Sequence, residues 1–308
     1  MEKLECFKEQ MNSLFLGKEE IVDNVLCCFL AGGHVLLEDV PGVGKTTLAG
    51  CFAHSLGLDF GRVQFTPDTM PGDVTGLTIY NMKSGEFEYR QGAIMKNIVL
   101  ADELNRTPPK TQSALLEAMA EGHVTVDGRQ YALPENFMVI ATQNPVSFAG
   151  TYPLPEAQLD RFMMKLSIGY PSKDSELEML RTKMEGENTK KAEPVLTPED
   201  ISECRAAVGK VHISDPMLEY MQNIVRATRE NSDFLLGLSP RALIHLMQAA
   251  RARAYLSGRD YVKPDDVRQI AVCVLAHRLV LTTEARLKKE DVTKLLNSVV
   301  LKIKIPVE

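Results

Sequence analysis

The sequence predicts a mixed fold. An α/β domain with a parallel sheet, helices on both faces, comes first, and a smaller all-helical domain follows. Three observations predict it. Short apolar runs alternate with helical patterns through residues 1–171, as parallel sheets require. No strand-like run appears from residue 172 onward. Within the first part, VLLEDVPGVGKTTLAG (35–50) passes from an apolar strand through a glycine-bearing loop into a helix.

The strand candidates are 34–38, 62–65, 98–102, 137–142 and 165–168, which gives a five-stranded sheet. Residues 172–196 read as a connecting helix and loop, because EGENTKKAEP (185–194) is polar and carries Gly and Pro. The helical domain then occupies 197–308. Thr197-Pro198, Asp215-Pro216, Ser239-Pro240 and Lys263-Pro264 each put Pro at the expected first helical position, and in the first three a capping side chain precedes it. Leu243, Leu246, Met247, Ala250 and Ala254 share one helical face.

Composition narrows the class. The chain has 308 residues, 44% hydrophobic and 25% charged, as in ordinary globular protein. A net charge of −6 gives no long-range attraction to nucleic acid. No apolar run is long enough to span a bilayer, and MEKLECFKEQ has no signal-peptide core. Cysteines 6, 27, 28, 51, 204 and 273 form no C-x-x-C pair and read as reduced thiols, so a cytoplasmic location is expected.

The loop at 39–46 nearly matches the phosphate-binding pattern G-x-x-x-x-G-K-[ST], with Asp39 in place of the first Gly. Gly42 and Gly44 let backbone N–H groups converge on phosphate, and the helix N-terminus adds its dipole. Lys45 would reach the β- and γ-phosphates of a nucleotide, and Thr46 would ligate Mg²⁺. Aspartate tolerates unusual turn dihedrals, and its carboxylate is expected to cap local N–H groups. In NIVLADELNR (97–106) a buried strand ends in Asp102 and Glu103, where ligands of parallel sheets bind. Asp102 is assigned to the metal and Glu103 to the attacking water. VIATQNP (139–145) ends a further strand at Asn144, whose amide would orient that water. Arg161 in LPEAQLDRF (154–162) and Arg241 in GLSPRA (237–242) read alone as surface cations, although a cation in a helix's first turn opposes the dipole.

In this order, LLEDVPGVGKT, ADELNRTPPKTQSALLEAMAEG, ATQNP, LPEAQLDRFMM and SPRA resemble blocks of the MoxR family of AAA+ ATPases over nearly the whole chain. The resemblance implies an AAA+ core with a helical lid. It implies ATP bound by Gly17, Lys18, Pro41, Gly42, Val43, Gly44, Lys45, Thr46, Thr47 and Arg241, with Mg²⁺ on Thr46 and Asp102. Catalysis would use Glu103, Asn144 as sensor 1, and Arg161 as a finger reaching a neighbouring subunit's nucleotide. Arg241 would be sensor 2, and Gly17 and Lys18 would meet adenine. Arg106 lies in a family block without an assigned role. Residues 73–92 and 123–134 read as hairpins turning near 83–85 and at Asp127-Gly128. They resemble the clade's helix-2 insert and pre-sensor-1 hairpin, which face a ring channel. The implied partners are further copies in a ring, expected to be a hexamer, and a client protein, with von Willebrand factor A-domain proteins as frequent companions. Two other readings stay open: a nucleic-acid motor or chelatase-like machine of the same clade, and a non-hydrolysing nucleotide switch.

Overall fold

A computed structural model describes residues 1–144, 151–184 and 192–306. Helices α1 (Glu2–Leu14) and α2 (Glu19–Leu30) precede β1 (Val35–Glu38), which leads through the glycine loop into α3 (Lys45–Ser55) and then β2 (Phe60–Gln64). Helix α4 (Pro71–Thr75) introduces a hairpin of β3 (Gly76–Asn81) and β4 (Glu86–Gln91). Strand β5 (Ile98–Asp102) is followed by a 3-10 turn at Leu104–Arg106, then α5 (Pro109–Glu121) and a second hairpin, β6 (His123–Val126) with β7 (Arg129–Ala132). Strand β8 (Met138–Gln143), helix α6 (Glu156–Leu159) and β9 (Met164–Leu166) complete the first part.

The sheet is parallel throughout, in the order β2-β5-β8-β1-β9. Its strands read as continuous apolar runs because both faces are covered. Val35, Leu37, Ile98, Leu100, Met138 and Ile140 face one core, and Leu36, Val99, Ala101, Val139 and Ala141 face the other, the two-residue alternation of a strand.

The second part contains α7 (Lys173–Met184), α8 (Pro198–Lys210), α9 (Asp215–Glu230), β10 (Phe234–Leu236), α10 (Pro240–Leu256), α11 (Pro264–Leu275), β11 (Val280–Leu281), α12 (Thr283–Leu287) and α13 (Val292–Lys302). At α8 the Thr197 hydroxyl accepts the Asp200 N–H while the Asp200 carboxylate accepts that of Thr197, a reciprocal cap worth about 1 kcal/mol. The lid is not a separate droplet. Helix α2 packs on α8 and α10, so one hydrophobic core runs from beneath the sheet into the helical part.

Three sequence expectations change. Strand ends move by one or two residues, as ends commonly do. Beyond residue 172 the chain does form a strand pair, β10 with β11, antiparallel. Segments of three and two residues are too short to show periodicity. At α9 the cap position is Ser214, which leaves Asp215 and Pro216 inside the first turn, and no side chain caps that end. Both hairpins form as expected, with Asp127 and Gly128 at φ 49° and 76° in the second turn. Of the expected loop at 185–194, residues 185–191 lie outside those described, as does Pro145. Among the described residues no helix is long and apolar enough to cross a membrane.

Candidate nucleotide site

The loop after β1 is shaped for an anion. Gly42 and Gly44 have φ of 89° and 91°, a region that residues with a Cβ rarely enter. Gly44 is the N-cap of α3, and that helix end has neither a side-chain cap nor an acidic first turn. The first N–H groups of α3 therefore point outward without a side-chain acceptor, which suits phosphate. Val43 is buried and anchors the loop, while Pro41, Gly42, Thr46 and Thr47 are exposed. The Lys45 ammonium donates to the Asp39 carbonyl at 2.8 Å. Burial holds its pKa below the ordinary lysine value, against the opposing pull of the Asp39, Asp102 and Glu103 carboxylates.

Asp39 does something the sequence does not reveal. It is not among the residues of positive φ, so its position never needed glycine. Contrary to the expectation from sequence, its carboxylate does not cap the local turn. It accepts the Ser167 hydroxyl at 2.8 Å, the Ile168 N–H at 2.6 Å and the Gly169 N–H at 3.0 Å. From the other side the Lys18 ammonium donates to the carbonyls of Ile168 and Tyr170. Gly17, at φ 69°, lies so near Ser175 that an added Cβ would stand 2.4 Å from its Oγ. The Gly17-Lys18 segment, the start of the phosphate loop and the strap after β9 are therefore one hydrogen-bonded unit.

Asp102 ends β5 and is 9% exposed. Its Oδ1 accepts the Thr142 hydroxyl at 2.7 Å and its Oδ2 accepts Arg62 Nη2 at 2.8 Å. Glu103 turns away with a left-handed φ of 57°, a strain of about 1 kcal/mol or more for a residue with a side chain. Its N–H donates to Thr142 Oγ1 at 2.8 Å, so one buried hydroxyl fixes both acidic residues. The turn sends the two carboxylates to different partners. Glu103 Oε2 accepts Gln64 Nε2 at 3.0 Å and Arg106 Nη1 at 2.8 Å, which gives Arg106 a place in the site. Asn144 directly follows β8 at the same carboxyl edge, and its carbonyl accepts Asn105 Nδ2 at 3.3 Å.

Arg161 and Arg241 stand elsewhere. Arg161 Nη1 donates to the Leu116 carbonyl of α5 at 2.7 Å. With Glu117, Glu121 and His123 it lines a cavity of about 520 Å³ to which no phosphate-loop residue contributes. Arg241, in the first turn of α10, pairs with Asp160 at 3.8 Å. Asp160 also accepts the Ser239 hydroxyl and the buried Arg278. Arg241 and Arg278 thus share the carboxylate of Asp160.

Comparison with known proteins agrees with this geometry. The family description "ATPase family associated with various cellular activities (AAA)" matches residues 34–164, and "AAA lid domain" matches 226–299. A Bacillus subtilis protein known as uncharacterized protein YeaC is 51% identical over 97% of this chain and 94% of its own. Chaperone MoxR1 of Mycobacterium tuberculosis is 39% identical over 96% of this chain and 81% of its own. The chain belongs to the MoxR family of AAA+ ATPases. A crystal structure of a Cytophaga hutchinsonii protein described as a candidate ATPase superposes with a TM-score of 0.92 at 39% identity, over 99% of this chain and 96% of that one.

Within this MoxR-type frame the sequence reading missed Thr142, Arg62, Gln64, Asp160 and Arg278. Thr142 had a signal, since it is a polar residue inside an otherwise apolar buried run, where a hydroxyl needs a partner. The others become visible only when distant strands and helices meet.

The Asp39 strap yields a prediction. Asp39→Gly restores the usual first glycine, yet removes an acceptor shared by three donors. The variant should lose about 2–4 kcal/mol of stability, since bonds to a charged acceptor are worth about 1.5–3 kcal/mol each and are not additive. Thermal unfolding would show a lowered midpoint. An unchanged or raised midpoint would mean that the strap contributes nothing.

Proposed function

We infer that this MoxR-family chain hydrolyses ATP to ADP and phosphate with Mg²⁺, at sites shared between subunits of a ring, and uses the cycle to remodel or mature partner proteins. The observation that carries the hydrolytic reading is that the phosphate loop with Lys45 follows β1 while Asp102 and Glu103 end β5, both at the carboxyl edge of one parallel sheet. The residues present fit the nucleotide and the metal: an uncapped helix N-terminus, two glycines of positive φ, an exposed Thr46 hydroxyl and the Asp102 carboxylate. Thr46 and Asp102 would hold Mg²⁺, which neutralises charge on the β- and γ-phosphate oxygens.

The chain's own groups then divide the work. The α3 N-terminus and Lys45 bind and orient the phosphates. Glu103 polarises the attacking water, after its carboxylate leaves Gln64 and Arg106 for that water. Asn144 orients the same water. The cation expected to stabilise charge on the transferred group is Arg161, which faces the α5 cavity and not its own loop. A second copy supplying Arg161 completes the site. The chaperone role rests on the name of the Mycobacterium tuberculosis relative and on the first hairpin, which exposes Tyr80, Met82 and Phe87. The hairpin strands and turn at 76–91 carry Lys83 and Arg90 against Glu86 and Glu88, a balance that suits polypeptide better than a phosphate backbone.

The test is turnover per chain against protein concentration, followed together with assembly mass. Specific activity should rise as rings form and fall on dilution. Activity that stays flat while the assembly state changes would remove the shared-site reading.

A further inference from the structure

Arg278 is 4% exposed and stands at the end of α11, in the 3-10 turn Ala276–Arg278 of the lid. A guanidinium there must fill its five N–H donors or bear a large desolvation cost. It fills them mostly from the short core segment that contains Arg161. Nε donates to Asp160 Oδ1 at 2.7 Å, and Nη2 donates to the carbonyls of Asp160 at 3.2 Å and Phe162 at 2.7 Å. Nη1 reaches the Met163 carbonyl at 3.4 Å and the Val274 carbonyl of its own helix. Nη2 also meets His245 Nδ1 of α10 at 2.6 Å. Burial, with Arg278 as the next cause, pushes the His245 pKa down to about 4, so the ring is a neutral acceptor for that N–H.

The neighbours of Arg278 repeat the pattern. His277 Nε2 lies 3.1 Å from the Phe162 carbonyl. Ser239, the N-cap of α10, donates to both Asp160 carboxylate oxygens at 3.1 Å. Four lid positions, Ser239, Arg241, His277 and Arg278, therefore hold the backbone or side chain of residues 160, 162 and 163. Arg161 is the residue between them, and among the described residues its own side chain bonds only the Leu116 carbonyl.

We propose that Arg278 is a positioning residue for Arg161: it fastens the lid to the two sides of the finger, so that a turn of the lid moves the finger offered to the neighbouring subunit. The proposal rests on reading Arg161 as the finger that completes a neighbour's site. Rigid fastening matters because a displacement of about 1 Å at a catalytic group can cost about 10²-fold in rate. It also gives a physical route between subunits. Nucleotide-driven motion of one lid changes the cation presented to the next site, with no contact between the two nucleotides.

The test uses Arg278→Lys in the full-length chain, which keeps the charge but cannot hold Asp160 and the two carbonyls together. Its Walker residues are untouched, so ATP affinity should stay at the wild-type value while kcat falls by about 10–100-fold. The readout that separates positioning from a merely structural role is rescue in trans. Mixed with Glu103→Gln, an Arg278→Lys subunit has an intact Glu103 and receives a correctly held Arg161 from its neighbour. Those interfaces should recover turnover that neither variant shows alone. The Arg161→Ala with Glu103→Gln mixture runs in parallel. If that control recovers and the Arg278→Lys mixture does not, Arg278 acts only within its own subunit and the proposal is wrong. If neither recovers at any mixing ratio, the finger reading falls and takes the proposal with it. A fall in ATP affinity equal to the fall in kcat would also overturn it. Should Arg278→Lys fail to fold, Ser239→Ala removes the hydroxyl that donates to Asp160 and also accepts the Ala242 N–H at the start of α10; it is expected to lower stability slightly and to show a smaller loss of kcat with the same trans rescue, and full activity in Ser239→Ala rings would count against the fastening.

Discussion

Arg161→Ala is expected to fold, to bind ATP as the wild type does, and to hydrolyse it at least about 10³-fold more slowly, the lower end of what a finger arginine contributes in nucleotide hydrolases. The physical reason is charge. A transferred phosphoryl group spreads negative charge over its equatorial oxygens, and Lys45 with the metal meets it from one side only. Among the described residues the half-buried Arg161 side chain makes a single bond, to the Leu116 carbonyl, so its loss should disturb the fold little. Loss of turnover with an unchanged unfolding midpoint is therefore the signature of a chemical role. Mixed with Glu103→Gln, the variant should regain activity at interfaces that join an intact Glu103 to an intact Arg161. If mass measurement shows mixed assemblies and turnover stays at the single-variant floor across mixing ratios, the shared site is wrong.

The second large effect separates binding from chemistry at one site. Lys45→Ala removes the cation of the phosphate loop, whose charged form the Asp39, Asp102 and Glu103 carboxylates favour. Without it their field repels the nucleotide phosphates, and ATP binding should fall below detection in a fluorescent-nucleotide titration. Glu103→Gln should keep the affinity and lose about 10²–10⁴-fold in turnover, the usual contribution of a general base. The amide keeps the shape and can still meet Gln64 and Arg106, so stability should change little. Equal turnover in Glu103→Gln and wild type would move the catalytic base to another residue. Retained binding in Lys45→Ala would show that the loop backbone alone holds the phosphates.

These two experiments draw on different sources of knowledge. Lys45, Asp102 and Glu103 were legible in the sequence because each sits in a local pattern with its own physics. A lysine follows a glycine loop at a helix start, and an acidic pair ends a buried strand. The strands themselves were legible because burial on both faces makes them continuous apolar runs. The hairpin at Asp127-Gly128 was legible because few other residue pairs adopt two successive positive φ angles so readily. The short pair β10 and β11 was not, since residues at that length are set by what they meet and carry no period of their own. Arg161 and Arg241 were recognisable only through the family resemblance, because a lone arginine, in a turn or in a helix's first turn, has no local signature of its role.

By itself the sequence determined the order of elements, the parallel sheet, the position of the phosphate loop and the acidic pair that answers it. These follow from contacts and dihedral preferences within a few residues, which a linear pattern records. The tertiary structure alone decided the rest. It made Asp39 a clasp on residues 167–169, set Gln64 and Arg106 on Glu103, and gave Thr142 both acids to hold. It ran a single core from the sheet into the lid through α2, and it buried Arg278 against the segment that carries Arg161. Each of these joins residues far apart in the chain, and a buried charge or donor is satisfied by whichever partner the fold brings within hydrogen-bonding distance, a choice that local sequence does not encode.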